Sequence, residues 1–176
     1  MPKKSRYLKG LIIGGTRSGK SDFAIKLSSS VKGTKAYLAT AEPLDPEMRE
    51  RIELHKRSRP GDWDTIEEPV RIYDRIGEIS NEYNLILIDC LTLWLSNIMG
   101  RMNRDLVIKE IDRLAGQVKS ASSNIVLVSN EVGMGIVPDN ELARSFRDLS
   151  GLMNQKMADI SSEVHLLFSG IPLRIK

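Results

Sequence analysis

The sequence predicts an α/β fold in which a mostly parallel central sheet is covered by helices on both faces. Short apolar runs such as Leu85–Ile88 and Ile125–Val128 lack the polar–apolar alternation of a half-exposed strand. Longer segments with helical spacing of apolar residues separate these runs, as in strand–helix–strand units. The chain has 176 residues and no internal repeat, so residues 1–176 are expected to form one domain.

The predicted elements follow one another along the chain, and local signals set several of their ends. Asp45 and Pro46 are residue types that favour a helix cap and the first helical position. The segment Arg59–Gly61 contains proline and glycine and interrupts the pattern. The predicted strands are Leu8–Ile13, Lys35–Thr40, Trp63–Ile66, Leu85–Ile88, Ile125–Val128 and Val164–Phe168. The predicted helices are Ser21–Ser29, Pro46–Ser58, Arg71–Glu82, Leu91–Met99, Arg104–Ala121 and Asn140–Ile160.

Composition and charge are those of an ordinary globular domain, and they exclude several classes of protein. Lysine and arginine total 26 and aspartate and glutamate 23, which gives a formal net charge of +3. This weak charge does not indicate nucleic-acid binding, and none is expected. Cys90 is the only cysteine, which excludes an intrachain disulfide and a cysteine-based zinc site. No apolar run reaches the ~20 residues of a membrane span, so a cytoplasmic protein is expected.

The segment from Gly14 to Ser21 reads GGTRSGKS and fits the phosphate-loop pattern G-x-x-x-x-G-K-[ST]. It follows a predicted strand and precedes a predicted helix, as this motif requires. The backbone N–H groups of such a loop bind phosphate oxygens, and Lys20 adds positive charge at the β- and γ-phosphates. The hydroxyl of Ser21 can bind Mg²⁺. The predicted nucleotide site comprises Gly14, Gly15, Thr16, Arg17, Ser18, Gly19, Lys20 and Ser21.

An acidic residue, Asp89, ends the apolar strand Leu85–Ile88. In phosphate-loop proteins an aspartate at such a position fixes Mg²⁺, directly or through water. The alternative is that Asp89 caps the helix predicted from Leu91. The nearby phosphate loop favours the metal role.

The two histidines have different surroundings in the sequence. His165 lies within an apolar strand and is expected to be structural. His55 shares a helical face with apolar residues, and this spacing fits a packing histidine slightly better than a catalytic one. The cations that surround its helix end are Lys56, Arg57 and Arg59. They could gather phosphate oxygens, beside which a neutral imidazole is a competent nucleophile toward phosphorus.

Together these motifs resemble the bifunctional adenosylcobinamide kinase / adenosylcobinamide-phosphate guanylyltransferase family of cobalamin assembly. The matches run in order from residue 11 to the C-terminus, and the most specific are Asn130–Pro138 and the Leu91–Thr92 pair. The other matches are the phosphate loop, Ala39–Ala41, Asp45–Arg51, His55–Pro60, Leu142–Arg144, Phe146–Asp148 and Gly170–Lys176. The resemblance implies a P-loop NTPase (RecA-like) three-layer fold.

The resemblance also implies a two-step reaction that consumes ATP or GTP with Mg²⁺. The aminopropanol hydroxyl of adenosylcobinamide is phosphorylated, and GMP from GTP is then joined to that phosphate, giving adenosylcobinamide-GDP. By position His55 carries GMP covalently, Lys20 stabilises charge on the transferring phosphorus, and Ser21 and Asp89 hold the metal. A homotrimer is the implied assembly. The residues implied to contact the guanine nucleotide are Ala39, Thr40, Ala41, Lys56, Arg57, Ser58, Arg59, Glu67 and Asp89.

Two other functions stay open at this stage. A small-molecule kinase with the same loop would transfer phosphate without a covalent intermediate. A nucleotide-dependent switch would bind a partner, although the sequence lacks the N-K-x-D string of conventional GTPases. The segment Asn130–Pro138 either borders a substrate, with Glu131 as a candidate contact, or only connects two elements. Trp63 and Trp94 are expected in core or subunit contacts.

Overall fold

The computed structural model describes residues 7–57 and 59–176, in which strands and helices alternate along most of the chain. The strands are β1 (Lys9–Gly14), β2 (Lys35–Ala39), β3 (Asp64–Glu67), β4 (Leu85–Asp89), β5 (Asn124–Asn130), β6 (Glu163–Phe168) and β7 (Ile171–Arg174). The helices are α1 (Lys20–Ser29), α2 (Pro46–Arg57), α3 (Ile72–Ile79), α4 (Leu91–Met99), α5 (Arg104–Ser120) and α6 (Glu141–Ile160). The predicted α/β class is confirmed.

The strands form one sheet in the order β3-β2-β4-β5-β1-β6-β7. Neighbouring strands are parallel except for β7, which runs antiparallel to β6. In the parallel part, Gly14 at the end of β1 is level with Asn130, and Asp89 at the end of β4 is level with Ala39 and Val128. The phosphate loop and the acidic residue therefore leave the sheet at the same edge, where open parallel sheets bind ligands.

Apolar side chains on the two faces of the sheet pack into two separate cores. Neighbours such as Leu11 and Ile12 are both buried but belong to different cores, because successive strand residues point to opposite faces. One core contains side chains of α3, α4, α5 and α6, and the other contains side chains of α1 together with Trp63. This arrangement is the three-layer structure that uninterrupted apolar strands predict.

The N-termini of α2 and α6 are capped by polar side chains. Asp45 caps α2, since its Oδ1 accepts a hydrogen bond from the backbone N–H of Met48 at 2.7 Å. Asn140 caps α6 in the same way through the N–H of Ala143, also at 2.7 Å.

Trp94 is fully buried and its Nε1 donates to Val70 O, which confirms its expected core position.

The final strand differs from the sequence prediction, which had no element after Phe168. Pro172 lies inside β7, and a proline in a short segment argues against a strand because it cannot donate to a ladder. The structure accommodates Pro172 because β7 is the edge strand, where one side of the backbone needs no partner. The predicted helix Arg71–Glu82 is shorter, as α3 ends at Ile79.

Within the described residues, no helix combines the length and the apolar character that crossing a bilayer requires.

Lys9 is a lysine buried at the start of β1, with 2 % of its surface exposed. Its Nζ donates to the carbonyl oxygens of Ala121 at 2.9 Å and Ser123 at 2.7 Å. Burial lowers the pKa of Lys9 from 10.5 to about 8. Between these two pH values the folded protein has therefore lost the proton of Lys9, whereas the unfolded chain still binds it.

We expect Lys9 to make the free energy of unfolding increase as pH rises from about 8 to 10.5. In that interval the unfolded chain binds more protons than the folded one, so folding becomes more favourable as protons are removed. Urea unfolding of wild type and Lys9→Met, followed across this interval, isolates the contribution. The free energy of unfolding of wild type should increase relative to that of Lys9→Met as the pH rises. A pH-independent difference contradicts the prediction.

Candidate nucleotide site

A cavity of about 540 Å³ lies beyond the carboxyl ends of β1, β2 and β4. Its walls come from the phosphate loop, the end of β2, the inner side of α2 and the junction of β4 with α4. The sequence-predicted residues that line it are Thr16, Arg17, Ser18, Gly19, Lys20, Ser21, Ala39, Ala41, His55, Arg59 and Asp89. Residues far apart in the sequence therefore share one cavity.

The glycines of the phosphate loop permit close backbone approach. A Cβ atom added at Gly14 would lie 2.6 Å from Leu167 O and 2.8 Å from Ser18 Oγ, which leaves no room for a side chain. Gly19 has a φ of 87°, in the left-handed region that glycine adopts without strain, and α1 begins directly after it. The loop thus delivers the N-terminus of a helix to the cavity, where its backbone N–H groups favour anions.

Lys20 is buried at the first position of α1 and lines the cavity. Its Nζ donates to Gly15 O at 2.6 Å, so the ammonium lies across the loop. Burial lowers the pKa of Lys20, and the carboxylate of Asp89 opposes that shift. The ammonium is a positive charge at the place where the loop would receive phosphates.

Asp89 is held by two hydroxyl groups. Its Oδ2 accepts hydrogen bonds from Ser21 Oγ and from Tyr37 Oη, both at 2.7 Å. The N-cap of α4 is Cys90, which makes no side-chain cap, so the interpretation of Asp89 as a helix cap is wrong. Its other oxygen, Oδ1, has no hydrogen-bond partner among the residues that the structure describes.

His55 lies in the last turn of α2, on the wall of the cavity. It is exposed, and so are most residues around it; all of α2 is described, and none of its residues is buried. The packing role that its spacing favoured is therefore wrong. His165 does pack as expected: it is buried in β6, with its ring centroid 5.0 Å from that of Phe23.

Arg59 follows α2 and lines the same cavity. Its Cζ lies 4.3 Å from the centroid of the Tyr37 ring, a cation–π contact. Its Nε and Nη1 atoms are buried and have no hydrogen-bond partner among the residues that the structure describes. A guanidinium with buried, unpaired donors is a candidate for binding an anionic oxygen.

Several residues expected at the nucleotide lie outside the cavity wall. The Thr40 hydroxyl is buried and donates to Cys90 O at 2.8 Å. Lys56 is exposed and pairs with Glu67 at 2.9 Å, which raises the pKa of Lys56. The remaining residues of this group that do not line the wall are Gly14, Gly15 and Arg57. Ser58 lies outside the described residues.

Other residues that line the cavity were not predicted as site residues from the sequence. Tyr37 and Met48 belong to β2 and α2, where their types also fit core and surface positions. Arg51 faces the cavity one helical turn before His55. A spacing of four residues on α2 is the signal that could have found Arg51. Tyr37 carries a weaker signal, since it lies two residues before Ala39 on the same face of β2.

The loop after β5 begins at the cavity and then folds on itself. Asn130 lines the cavity, and its Nδ2 donates to Thr92 Oγ1 at 2.8 Å. The Glu131 carboxylate accepts from the N–H of Gly133 at 2.6 Å, and Arg147 donates to Gly133 O at 2.6 Å. Glu131 therefore shapes its own loop, which favours the connecting interpretation for this part of the segment.

Comparison with known proteins gives close sequence relatives. The bifunctional adenosylcobalamin biosynthesis protein CobP of Pseudomonas aeruginosa is 36 % identical over 96 % of this chain and 98 % of its own length. The bifunctional adenosylcobalamin biosynthesis protein CobU of Escherichia coli is 38 % identical over 94 % of this chain and 98 % of its own length. Both matches extend through the cavity-lining segments.

A solved structure supports the fold. The RadB recombinase superposes with a TM-score of 0.51 at 18 % identity, covering 89 % of this chain and 72 % of the RadB chain. This likeness confirms the RecA-like P-loop fold and no more.

The sequence profile described as cobinamide kinase / cobinamide phosphate guanyltransferase matches residues 10–175. This chain therefore belongs to the cobinamide kinase / cobinamide phosphate guanyltransferase family.

Proposed function

We propose that this chain is a bifunctional transferase of cobalamin biosynthesis. It phosphorylates the aminopropanol hydroxyl of adenosylcobinamide from ATP or GTP. It then transfers GMP from GTP to the new phosphate through a covalent intermediate on His55. The observation that carries this proposal is that His55 and the phosphate loop line the same cavity.

The phosphate loop supplies the binding site for the triphosphate in both steps. Its backbone N–H groups and the N-terminus of α1 bind phosphate oxygens, and Lys20 neutralises charge that develops during transfer. Arg17 and Arg59 add positive charge to the same walls. In the kinase step these groups hold the γ-phosphorus for attack by the substrate hydroxyl.

The donor set beside Lys20 fits Mg²⁺ held jointly by the protein and a nucleotide. Ser21 and Asp89 offer hard oxygen ligands that lie in hydrogen-bond contact with each other. The described residues contain no cluster of three or more histidine, cysteine or acidic side chains. Ser21 and Asp89 would therefore hold the ion together with phosphate oxygens and water. When bound, Mg²⁺ supplies charge neutralisation at the phosphates.

The guanylyl step uses the imidazole of His55 as a nucleophile. A ring nitrogen forms a bond to the α-phosphorus of GTP, and the bond from that phosphorus to the pyrophosphate oxygen breaks. A phosphate oxygen of adenosylcobinamide phosphate then attacks the same phosphorus. The nitrogen–phosphorus bond breaks, the imidazole is regenerated, and adenosylcobinamide-GDP leaves.

The two steps require different geometry around one loop, because the kinase reaction occurs at the γ-phosphorus and the guanylyl transfer at the α-phosphorus. The helix that carries His55 has no buried residue. Moving α2 to a second position would therefore expose little buried apolar surface. This loose attachment supports a nucleophile whose position differs between the two steps.

We also propose that residues 1–176 act as one catalytic domain that assembles into a homotrimer. One sheet contains all the strands of the described residues, which supports the single domain. Apolar side chains of the loop after β5 are strongly exposed, with Ile136 at 96 % and Met134 at 72 %. Contact between subunits would remove such side chains from water.

The covalent step predicts labelling of the protein by GTP that carries a labelled α-phosphate. After denaturation, label should remain on wild type and be acid-labile and base-stable. His55→Ala removes the nucleophile and should abolish the label while the phosphate loop still binds nucleotide. His165→Gln is the matched control and should retain the label, because His165 packs in β6 away from the cavity. An active wild-type enzyme without protein-bound label would instead support a kinase that lacks guanylyl transfer.

The shared triphosphate site predicts that Lys20→Ala impairs both half-reactions by at least about a hundredfold. The variant should keep the wild-type circular dichroism spectrum. Lys26→Ala changes an exposed lysine of the same helix and should leave both rates near wild type. Initial rates of phosphate transfer and of protein labelling are measured separately. Guanylyl transfer near the wild-type rate in Lys20→Ala would exclude one shared site.

A further inference from the structure

We propose that Tyr37 is a positioning residue that orients two groups of the nucleotide site at once. Its hydroxyl holds the carboxylate of Asp89, and the face of its ring supports the guanidinium of Arg59. This inference rests on the proposed function, since it gives Asp89 and Arg59 their roles toward Mg²⁺ and phosphate. It assigns a role to a residue that belongs to no sequence motif.

The hydrogen bond from Tyr37 selects the orientation of the Asp89 carboxylate. Tyr37 and Ser21 both donate to Oδ2, and Oδ1 has no hydrogen-bond partner among the described residues. The carboxyl group is thus fixed through one oxygen while the other stays available for a ligand. Tyr37 is only 2 % exposed, so its hydroxyl is held in place by packing.

The ring of Tyr37 fixes a cation that has no carboxylate partner. Among the described residues Arg59 forms no ion pair, and its Nε and Nη1 are buried without acceptors. Burying unpaired donors is unfavourable unless a ligand supplies oxygens. The cavity wall is the place where phosphate oxygens would do so. The cation–π contact places the guanidinium carbon 4.3 Å from the centroid of the Tyr37 ring, and the unpaired Nε and Nη1 donors are the groups that those oxygens would bind.

Tyr37 is suited to this double role because β2 lies inside the sheet. Tyr37 is level with Leu87 of β4 and with Thr65 of β3, so its backbone is held on both sides. Arg59, by contrast, follows a helix with no buried residue. The ring therefore connects a weakly packed segment to a rigid strand.

The first experiment separates the hydroxyl from the ring with Tyr37→Phe. Binding of a fluorescent, non-hydrolysable GTP analogue is measured in EDTA and during a Mg²⁺ titration. We expect the Mg²⁺ concentration that gives half of the maximal increase in analogue binding to rise about tenfold. A loss of this size is expected when a metal ligand loses its hydrogen-bond partner. The dissociation constant in EDTA should change less than about twofold, because the ring remains beneath Arg59. An unchanged Mg²⁺ requirement overturns the role of the hydroxyl.

Tyr83→Phe is the matched control for the hydroxyl. Tyr83 also donates to an aspartate, Asp64 Oδ2, at 2.8 Å, and neither residue lines the nucleotide cavity. This variant loses the same type of hydrogen bond and should bind the analogue and Mg²⁺ as wild type does. A Mg²⁺ shift in Tyr83→Phe equal to that of Tyr37→Phe would point to a general loss of stability and overturn the proposal.

The second experiment removes the ring with Tyr37→Leu. The dissociation constant in EDTA should rise about fivefold, the cost expected when a cation–π contact is lost. Tyr73→Leu is the control, because Tyr73 supports Arg113 at 4.4 Å outside the cavity. If Tyr37→Leu does not fold, Arg59→Gln decides. This variant should weaken analogue binding in EDTA by a similar factor without changing the Mg²⁺ requirement. Wild-type affinity in Arg59→Gln overturns the proposed role of the ring in supporting Arg59.

Failure of this inference is distinguishable from failure of the proposed function. Wild type that binds the analogue but acquires no label from GTP contradicts guanylyl transfer and leaves the binding results for Tyr37 intact. Wild type that is labelled normally, with Tyr37→Phe matching it in Mg²⁺ requirement, refutes the role of Tyr37 alone.

Discussion

The carboxylate of Asp89 joins three parts of the chain that the sequence separates. Hydrogen bonds to Ser21 and Tyr37 connect the end of β4 with the start of α1 and the middle of β2. These contacts are possible because β2, β4, β5 and β1 are neighbouring parallel strands whose carboxyl ends meet at one edge. The order of the strands therefore determines which side chains can share the site, and the phosphate loop contributes only part of it.

Much of the fold could be predicted from the sequence because each buried element carries a strong local pattern. The runs at Leu85–Ile88 and Ile125–Val128 have no polar residue, which is the pattern of a strand buried on both faces, and both runs are buried in the structure. Strand β7 could not be predicted in this way. Its side chains are exposed and it includes Pro172, so its pairing depends on β6 and not on its own sequence.

The candidate site was predictable where a motif has a fixed spacing and less so elsewhere. Gly14–Ser21 and Asp89 follow from patterns tied to strand ends, and the family resemblance adds His55 and Arg59. Tyr37 has no such pattern, since a tyrosine in a buried strand usually fills a core. Its importance comes from two contacts, with Asp89 and Arg59, and these become visible only when strand order and the path after α2 are known.

The attachment of α2 links stability to chemistry in this fold. The inner strands and the other helices hold their positions through two apolar cores, whereas α2 is held at its ends by polar and cationic contacts. Asp45 caps its start, Lys56 pairs with Glu67, and Arg59 lies against Tyr37. Such contacts are weaker than core packing and depend on ionic strength. In the proposed function this attachment lets a histidine on α2 change position while the phosphate loop, anchored at the junction of β1 and α1, stays in place.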